Sequence, residues 1–444
     1  MKKFHFQTPT GIHDILPEDQ EYFRKFLNVA RDVVEFYGFK EIEVPILEEA
    51  SLYEKGTGAT TDIVEKQMYT LKTKGGDVLA LRPEFTPGIV RAYIQNGMMN
   101  LPQPVKVYAQ GPLFRYEHPQ AGRYRQFHQF DMEVFGETSS AIDAQVIQIT
   151  TLILKELKFT HLIAEVNSIG DSSCRPYYKK LLSSFFRSRV NSLCQDCKRR
   201  LRENPLRILD CKEEKCQQVK SQAPQTVDHL CEECKKHFKS VLEFLDEADI
   251  PYHLDPYLVR GLDYYTKTVF EIFSEKPIKK MEEDSSQGET EVVTRSALAG
   301  GGRYDTLGKL LGGKDIPAMG VAMGLERIVS LMKASGQSIK EKPGPQVFLA
   351  QLGELPKKKS LKLLEELRRA NIQVGESLGR DSLRVQLARA DKLGVVYTLI
   401  LGQKEALDNS IVLRNMETGK QDIVRMDRAV EETKKRLKKV KSEK

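Results

Sequence analysis

Leu258-Val259-Arg260-Gly261-Leu262-Asp263-Tyr264-Tyr265-Thr266 sets an arginine, a glycine and a tyrosine pair at the end of a short apolar run. Two readings of it are open. It lines a polar pocket, with a fixed cation beside two phenols, or it is a strand end held by aromatic packing. Three other stretches bear on the choice. Leu81-Arg82-Pro83-Glu84-Phe85-Thr86-Pro87 puts a carboxylate and a hydroxyl at the end of a strand, stiffened by two prolines. Acceptors held that way suit an ammonium group; the plainer reading is a proline turn. Gly111 to Gln129 reads as two strand-like ends around a Pro/Gly loop, with Arg115, Arg123, Arg125 and several rings. Guanidinium groups suit phosphate and a ring suits a base, although a surface hairpin with ion pairs has the same composition. Ala299-Gly300-Gly301-Gly302-Arg303-Tyr304-Asp305 is followed by Met319-Gly320-Val321-Ala322-Met323-Gly324-Leu325-Glu326-Arg327. Glycine runs let a backbone approach a ligand closely. Arg327 should lie early in a helix, whose N-terminus favours anions.

Some familiar motifs are excluded. Gly308 to Asp315 nearly spells a phosphate loop, but Asp315 stands where the magnesium-binding Ser or Thr belongs. No G-x-G-x-x-G follows a strand, so a dinucleotide-binding fold is ruled out. His118 and His128 lack the spacing of helical metal ligands.

Around these stretches the pattern is mixed. Glu18 to Tyr37 has helical apolar spacing, with Pro17 at its start and Gly38 at its end. Ile42, Val44 and Ile46 alternate as a strand, with Pro45 at its edge. Val78 to Leu81, Val105 to Gln110 and Gln129 to Phe135 read as further strands, and Pro87 to Asn96 and Ala141 to Leu157 as helices. Asp171 to Asp249 lacks strand signals and is rich in Lys, Arg and Cys, as expected of an inserted helical domain. Strands return at Tyr252 to Leu258 and Val269 to Phe273. Lys276 to Arg295 is a polar loop, acidic in its middle, and Leu298 to Leu331 closes the body with a glycine-rich segment and a helix. Beyond a linker, strands and helices alternate to the end. The expected fold is therefore an α+β body on a largely antiparallel sheet, followed by a compact α/β module.

Net charge is +7, unevenly spread. Residues 345–444 carry 22 Lys and Arg against 14 Asp and Glu, whereas the first 344 hold 47 against 48. A near-neutral body with a basic last module suits a polyanionic partner, although 434–444 alone supplies +6 of the excess. Two N-terminal lysines are followed by no apolar core, and no apolar run reaches membrane-spanning length, so cytoplasmic residence is expected. All seven cysteines lie between Cys174 and Cys234. An odd number without an export signal argues against a disulfide framework. Cys194-x-x-Cys197 and Cys231-x-x-Cys234, with Cys211 and Cys216 between them, are a zinc signal. The reading taken is reduced thiols, with a structural zinc as the alternative.

Together these stretches resemble the histidyl-tRNA synthetases of the bacterial type, over essentially the whole chain. Arg260 to Tyr265 and Gly301 to Asp305 look like that family's two histidine-specific signatures. Gly38-Phe39-Lys40-Glu41-Ile42-Glu43-Val44-Pro45, with the helix before it, resembles class II motif 1, the family's dimer interface. Phe114-Arg115-Tyr116-Glu117 through Glu133 resembles motif 2, and Gly324-Leu325-Glu326-Arg327 motif 3. The resemblance implies a class II catalytic domain in two parts, 1–170 and 250–333, around a helical insertion at 171–249. It also implies a linker at 334–344, an anticodon-binding domain at 345–432 and a basic tail at 433–444.

Roles follow from the same resemblance. Glu84, Thr86 and Gln129 would bind the α-amino group of histidine, Glu133 and Tyr265 its two imidazole nitrogens, and Tyr264 would line that pocket. Arg115 would meet the α-phosphate of ATP and Glu117 the adenine amino group, with Phe127 stacked on the ring. Arg123 and Arg327 would hold the β- and γ-phosphates, and Arg260 would face the α-phosphate from the other side. Gln120 and Arg123 would approach the acceptor end of histidine tRNA. Magnesium is expected on the phosphates, the family does not need zinc for catalysis, and the enzyme is expected to be a homodimer without membrane attachment. The alternative is a non-catalytic paralogue that regulates ATP phosphoribosyltransferase in histidine biosynthesis; it typically lacks the last module and an intact Arg260 signature, and both are present here. A dead synthetase core acting as an RNA sensor is opposed by the full set of arginines and glutamates.

Overall fold

The computed structural model describes residues 6–58, 61–119, 122–274, 297–337 and 344–442. Gln120 and the acidic stretch 276–295 lie outside them. The chain forms two units, Met1–Ile339 and Lys340–Lys444.

In the first unit the expected N-terminal helix is α1 (Pro17–Phe36). Glu18 and Asp19 sit in its first turn, where they meet the helix dipole, and Phe23, Phe26, Ala30 and Val34 form its buried stripe. The strand expected at 42–46 is not one strand. The structure has β1 (Lys40–Glu41) and β2 (Leu47–Glu49), with Pro45 between them. Proline donates nothing to a ladder, and the chain uses this point to pass from one sheet to another. After α2 (Ala50–Thr57) come β3 (Thr70–Lys72) and β4 (Val78–Leu81). These join β2 in a small antiparallel sheet, ordered β2-β4-β3. Next are α3 (Thr86–Gln95), β5 (Val105–Phe114), β6 (Gln126–Phe135), α4 (Ser140–Glu156) and β7 (Leu162–Ser168). The segment that follows holds α5 (Arg175–Arg187), α6 (Gln195–Glu203), α7 (Glu214–Lys220) and α8 (Glu232–Glu247). β8 (Tyr252–Leu254), β9 (Thr266–Ser274), β10 (Ala297–Arg303), α9 (Leu307–Leu310), β11 (Ala318–Gly324) and α10 (Leu325–Ala334) complete the unit.

The main sheet runs β1-β5-β6-β11-β10-β9-β7-β8. Its inner pairings are antiparallel, and only the two outer ones, β1 with β5 and β7 with β8, are parallel. This is the largely antiparallel sheet expected. The strand period of two sorts side chains between its faces. Phe130, Met132 and Val134 of β6 join a core with α1, α4, α8 and α10. Gln129, Asp131 and Glu133 alternate with them and point the other way.

The glycine run is a central strand, and tight packing explains much of its composition. A Cβ on Gly301 would lie 2.0 Å from the Gly320 carbonyl oxygen of the neighbouring strand. One on Gly320 would collide with the Glu133 carboxylate.

The second unit contains β12 (Val347–Gln351), α11 (Glu354–Arg369), β13 (Val374–Glu376), α12 (Leu383–Lys392) and β14 (Tyr397–Leu401). It continues with α13 (Gln403–Leu407), β15 (Ser410–Asn415), β16 (Gln421–Arg425) and α14 (Ala429–Ser442), which takes up most of the basic run at the end of the chain. Its sheet runs β13-β12-β14-β15-β16, parallel across the first three strands and antiparallel beyond. β12 and β14 are buried along their whole length, as befits parallel strands covered on both faces.

Candidate active site

The face of the main sheet opposite α1 and α4 opens into a cleft of about 380 Å³. Glu84 reaches it from the turn between β4 and α3, and Thr86 from the first turn of α3. Arg115, Glu117, Arg123, Phe127 and Gln129 come from the β5–β6 hairpin, Arg260, Tyr264 and Tyr265 from the run before β9, and Arg327 from the first turn of α10. Eleven of the thirteen anticipated site residues thus line one cavity. Glu133 stands just behind the wall, and Gln120 is outside the described residues.

One end of the cleft is rich in buried carboxylate and phenol. The Tyr264 hydroxyl donates to Glu84 Oε2 at 2.8 Å, and Glu84 Oε1 is buried without a hydrogen-bond partner among the described residues. Burial lifts the Glu84 carboxyl to about 7, against the opposing pull of Arg115, the Tyr264 hydrogen bond and Arg260. An unpaired buried acceptor beside cations is costly until a donor fills it. Glu133 accepts from Thr86 Oγ1 at 2.7 Å and from the Tyr304 hydroxyl. Burial raises it to about 8, although both hydrogen bonds work the other way. The rings of Tyr264 and Tyr265 stand 4.6 Å apart, and Tyr304 meets Tyr264 edge-on at 5.6 Å. Burial also pushes the Tyr265 phenol up to about 12.

The other end is cationic. Arg115 is braced by the Pro83 carbonyl at 2.9 Å and lies 5.2 Å from the Phe127 ring centre. Arg123 approaches Glu117 at 3.6 Å. Arg327 donates to the Ala297 carbonyl at 2.6 Å. Burial and the neighbouring Arg123 both pull the Arg327 pKa down. Two guanidiniums crowded in that way favour a polyanion between them. Arg260 pairs with Glu271 and faces the Tyr265 ring at 5.7 Å. Burial works against its charge, but Glu271 and the two tyrosines outweigh burial and leave its pKa raised. It lies across Gly300, where a Cβ would sit 2.4 Å from its Nη1.

Sequence reasoning left out several lining groups. Asp131 was recoverable, because it alternates between Gln129 and Glu133 on one strand face. Burial raises it well above the usual carboxylate range, and Glu133 and Glu84 add to this. Tyr304, from the second signature, is another lining group. Its neighbour Arg303 turns to the opposite face, where it is fully buried and bonded to Asp143 and to the carbonyls of Glu137 and Ser139. Arg207 and Asp210 also line the cleft, from the segment after α6, and no local pattern announces them.

The chain matches the Histidyl-tRNA synthetase family over residues 11–328. The chain belongs to this family. Residues 346–436 match the family described as Anticodon binding domain. A histidine–tRNA ligase of Dehalococcoides mccartyi is 41% identical over 432 residues, covering 97% of this chain and all of that protein. One from Desulforamulus reducens is 43% identical over 417 residues, 94% of this chain and 96% of the relative. The apo histidyl-tRNA synthetase of S. aureus shares the fold at a TM-score of 0.75 and 33% identity, over 96% of this chain and 99% of that one. A Bacillus halodurans protein described as an ATP phosphoribosyltransferase regulatory subunit/histidyl-tRNA synthetase has a TM-score of 0.60 at 19% identity, which speaks to fold alone. As a member of the histidyl-tRNA synthetase family this chain is an aminoacyl-tRNA synthetase with the class II fold, and its last module is the family's anticodon-binding type.

Proposed function

We propose that the cleft activates L-histidine with ATP to histidyl-adenylate, and that the terminal ribose hydroxyl of histidine tRNA then attacks its carbonyl carbon, taking the histidyl group to the 3′ end while AMP leaves. Glu84, Thr86 and Gln129 receive the α-ammonium group, with the unpaired Glu84 oxygen as its principal acceptor. Glu133 and Tyr265 take the two ring nitrogens, and Tyr264 closes the pocket. A side chain without polar ring edges would leave these buried groups unsatisfied, which is a strong basis for selection. Phe127 stacks on adenine and Glu117 accepts from its amino group. Arg123 and Arg327 hold the β- and γ-phosphates.

The histidine carboxylate attacks the α-phosphorus in line, and pyrophosphate leaves. Negative charge gathers on the phosphoryl oxygens, and Arg115 and Arg260 stabilise it from opposite sides. Magnesium is a hard cation that takes oxygen ligands, and it would be held chiefly by the phosphates, with Glu271, now paired with Arg260, and Glu326, now paired with His128, as the carboxylates of the cleft wall that would turn to it. When bound it neutralises phosphate charge. Gln120 and Arg123 meet the acceptor end of the tRNA, and the basic second unit meets its anticodon arm through phosphate contacts.

The observation that carries this reading is the meeting of Arg115, Arg260 and Arg327, from three distant parts of the chain, in one cleft with the unpaired Glu84 oxygen. Histidine-dependent ATP–pyrophosphate exchange tests it. Exchange should need histidine and should be matched by charging of histidine tRNA. Absence of exchange in folded protein would leave the regulatory paralogue standing instead.

A homodimer is part of the proposal. Phe36, Ile46 and Leu47 are exposed beside the short outer strand β1, and a second copy of this chain would cover them. Equilibrium sedimentation reading a single chain at micromolar concentration would end that assignment. No helix among the described residues is long and apolar enough to cross a membrane.

A further inference from the structure

The seven cysteines fall into two groups in space. Cys194, Cys197, Cys211 and Cys216 bring their sulfurs within 4.8 Å of one another, and Cys174, Cys231 and Cys234 do the same with an oxygen of Asp171. We propose that the four-sulfur group is a structural zinc site of the insert.

The geometry fits the metal. A tetrahedral zinc with Zn–S bonds of about 2.3 Å sets its sulfurs about 3.8 Å apart. Cys194 and Cys211 are 3.9 Å apart, far beyond a disulfide bond. Backbone N–H groups also point at the sulfurs, from Cys197 to Cys194 Sγ at 3.4 Å and from Cys194 to Cys216 Sγ at 3.2 Å. Such donors favour thiolate, the form that binds metal. Four cysteines acting only as small apolar residues would have no reason to converge on one point from the cap of α6, its first turn, the following loop and α7.

The site would have a mechanical task. It closes the loop between Cys197 and Cys211, and that loop holds the groups that brace the Arg260 run. Asn204 donates to Asp263 at 2.9 Å, and Arg207 donates to the Gly261 carbonyl at 2.7 Å and to Asp62 at 3.0 Å. The metal thus positions the signature loop without touching substrate.

The second group carries a further proposal on its own geometry. Asp171, just before α5, and Cys231, at the start of α8, belong to the beginning and the end of the insert. A zinc held by Asp171, Cys174, Cys231 and Cys234 would clip the two together, and it accounts for the odd cysteine count.

Elemental analysis of the full chain, purified without chelator, should find two zinc atoms per chain, falling to one in Cys211→Ser and to one in Cys231→Ser. A single zinc lost only in Cys211→Ser keeps the first site and overturns the second; the opposite pattern overturns the first. Protein free of metal, whose seven thiols all react under native conditions and which takes up no added zinc, overturns both. Should a variant fail to fold, cobalt exchange into the wild-type protein decides the first site. A tetrathiolate charge-transfer spectrum supports it, and a spectrum without sulfur ligation refutes it.

Discussion

Gly300→Ala is the sharpest probe of the cleft, because it moves one guanidinium with little else. Gly300 is paired on both sides, with β9 and β11. The three nearest atoms to an added methyl all belong to Arg260, at 2.4, 2.8 and 2.9 Å. Ordinary contact begins near 3.4 Å, so the guanidinium must retreat by about 1 Å. Its φ lies outside the left-handed region, so alanine itself is unstrained there. A misplacement of about 1 Å in a catalytic group costs on the order of a hundredfold, or about 2.7 kcal/mol of transition-state stabilisation. Histidine-dependent ATP–pyrophosphate exchange should fall by about that factor, while thermal unfolding stays near that of the wild type. Arg260→Ala should cost more than about a hundredfold, and the double variant little more than Arg260→Ala alone, since both remove one interaction. Exchange within about threefold of wild type in Gly300→Ala, or full additivity in the double variant, would refute the role given to Arg260.

Glu133→Ala should raise the histidine requirement far more than the ATP requirement in the same assay; equal rises would remove it from the imidazole pocket. Stability of the ligand-free enzyme should depend on pH through Glu84 and Glu133. Their ordinary value is 4.5 and burial raises them to about 7 and about 8, so the native state binds more protons than the unfolded one across that interval. The contribution is fully present below about 4.5 and is lost as pH rises through 7 and 8. Urea midpoints should therefore fall over this range, and Glu133→Gln should flatten the slope at its upper end; an unchanged slope would contradict the burial argument. Asp143→Ala removes the closer of the two carboxylates on the fully buried Arg303, leaving Asp305 at 3.2 Å, and should cost about 3 kcal/mol in urea unfolding, with KM for histidine unchanged in the folded fraction. A loss below about 1 kcal/mol would show that water reaches Arg303.

Much of the fold was legible because it rests on local periodicity. The stripe of α1, the alternation in β6 and the α/β rhythm of the second unit can all be read from apolar spacing. The failures have physical causes. The segment at 42–46 alternates like a strand, but Pro45 marks the change of sheet, and a sheet change leaves no signature in spacing. The run Gly300, Gly301 and Gly302 suggests only a close approach to a ligand, and of the three Gly300 does line the cleft. Their smallness serves Arg260, Gly320 and Tyr265, which lie far away in sequence. In the cleft, motif residues were visible because several sit together on one strand or turn. Arg207 and Asp210 were not, because only the packing of the insert brings them there.

The order of strands in the main sheet also bears on how the chain is made. β6 ends at Phe135, but its partner β11 begins only at Ala318, roughly 180 residues later. At ordinary ribosomal rates of about 5–20 residues per second, that edge waits some 10–40 seconds for its neighbour. Throughout that interval the nascent polypeptide presents a row of unpaired backbone N–H and C=O groups open to any passing strand. The enzyme's yield in a cell therefore depends on who shelters that edge during elongation as much as on the stability of the finished product.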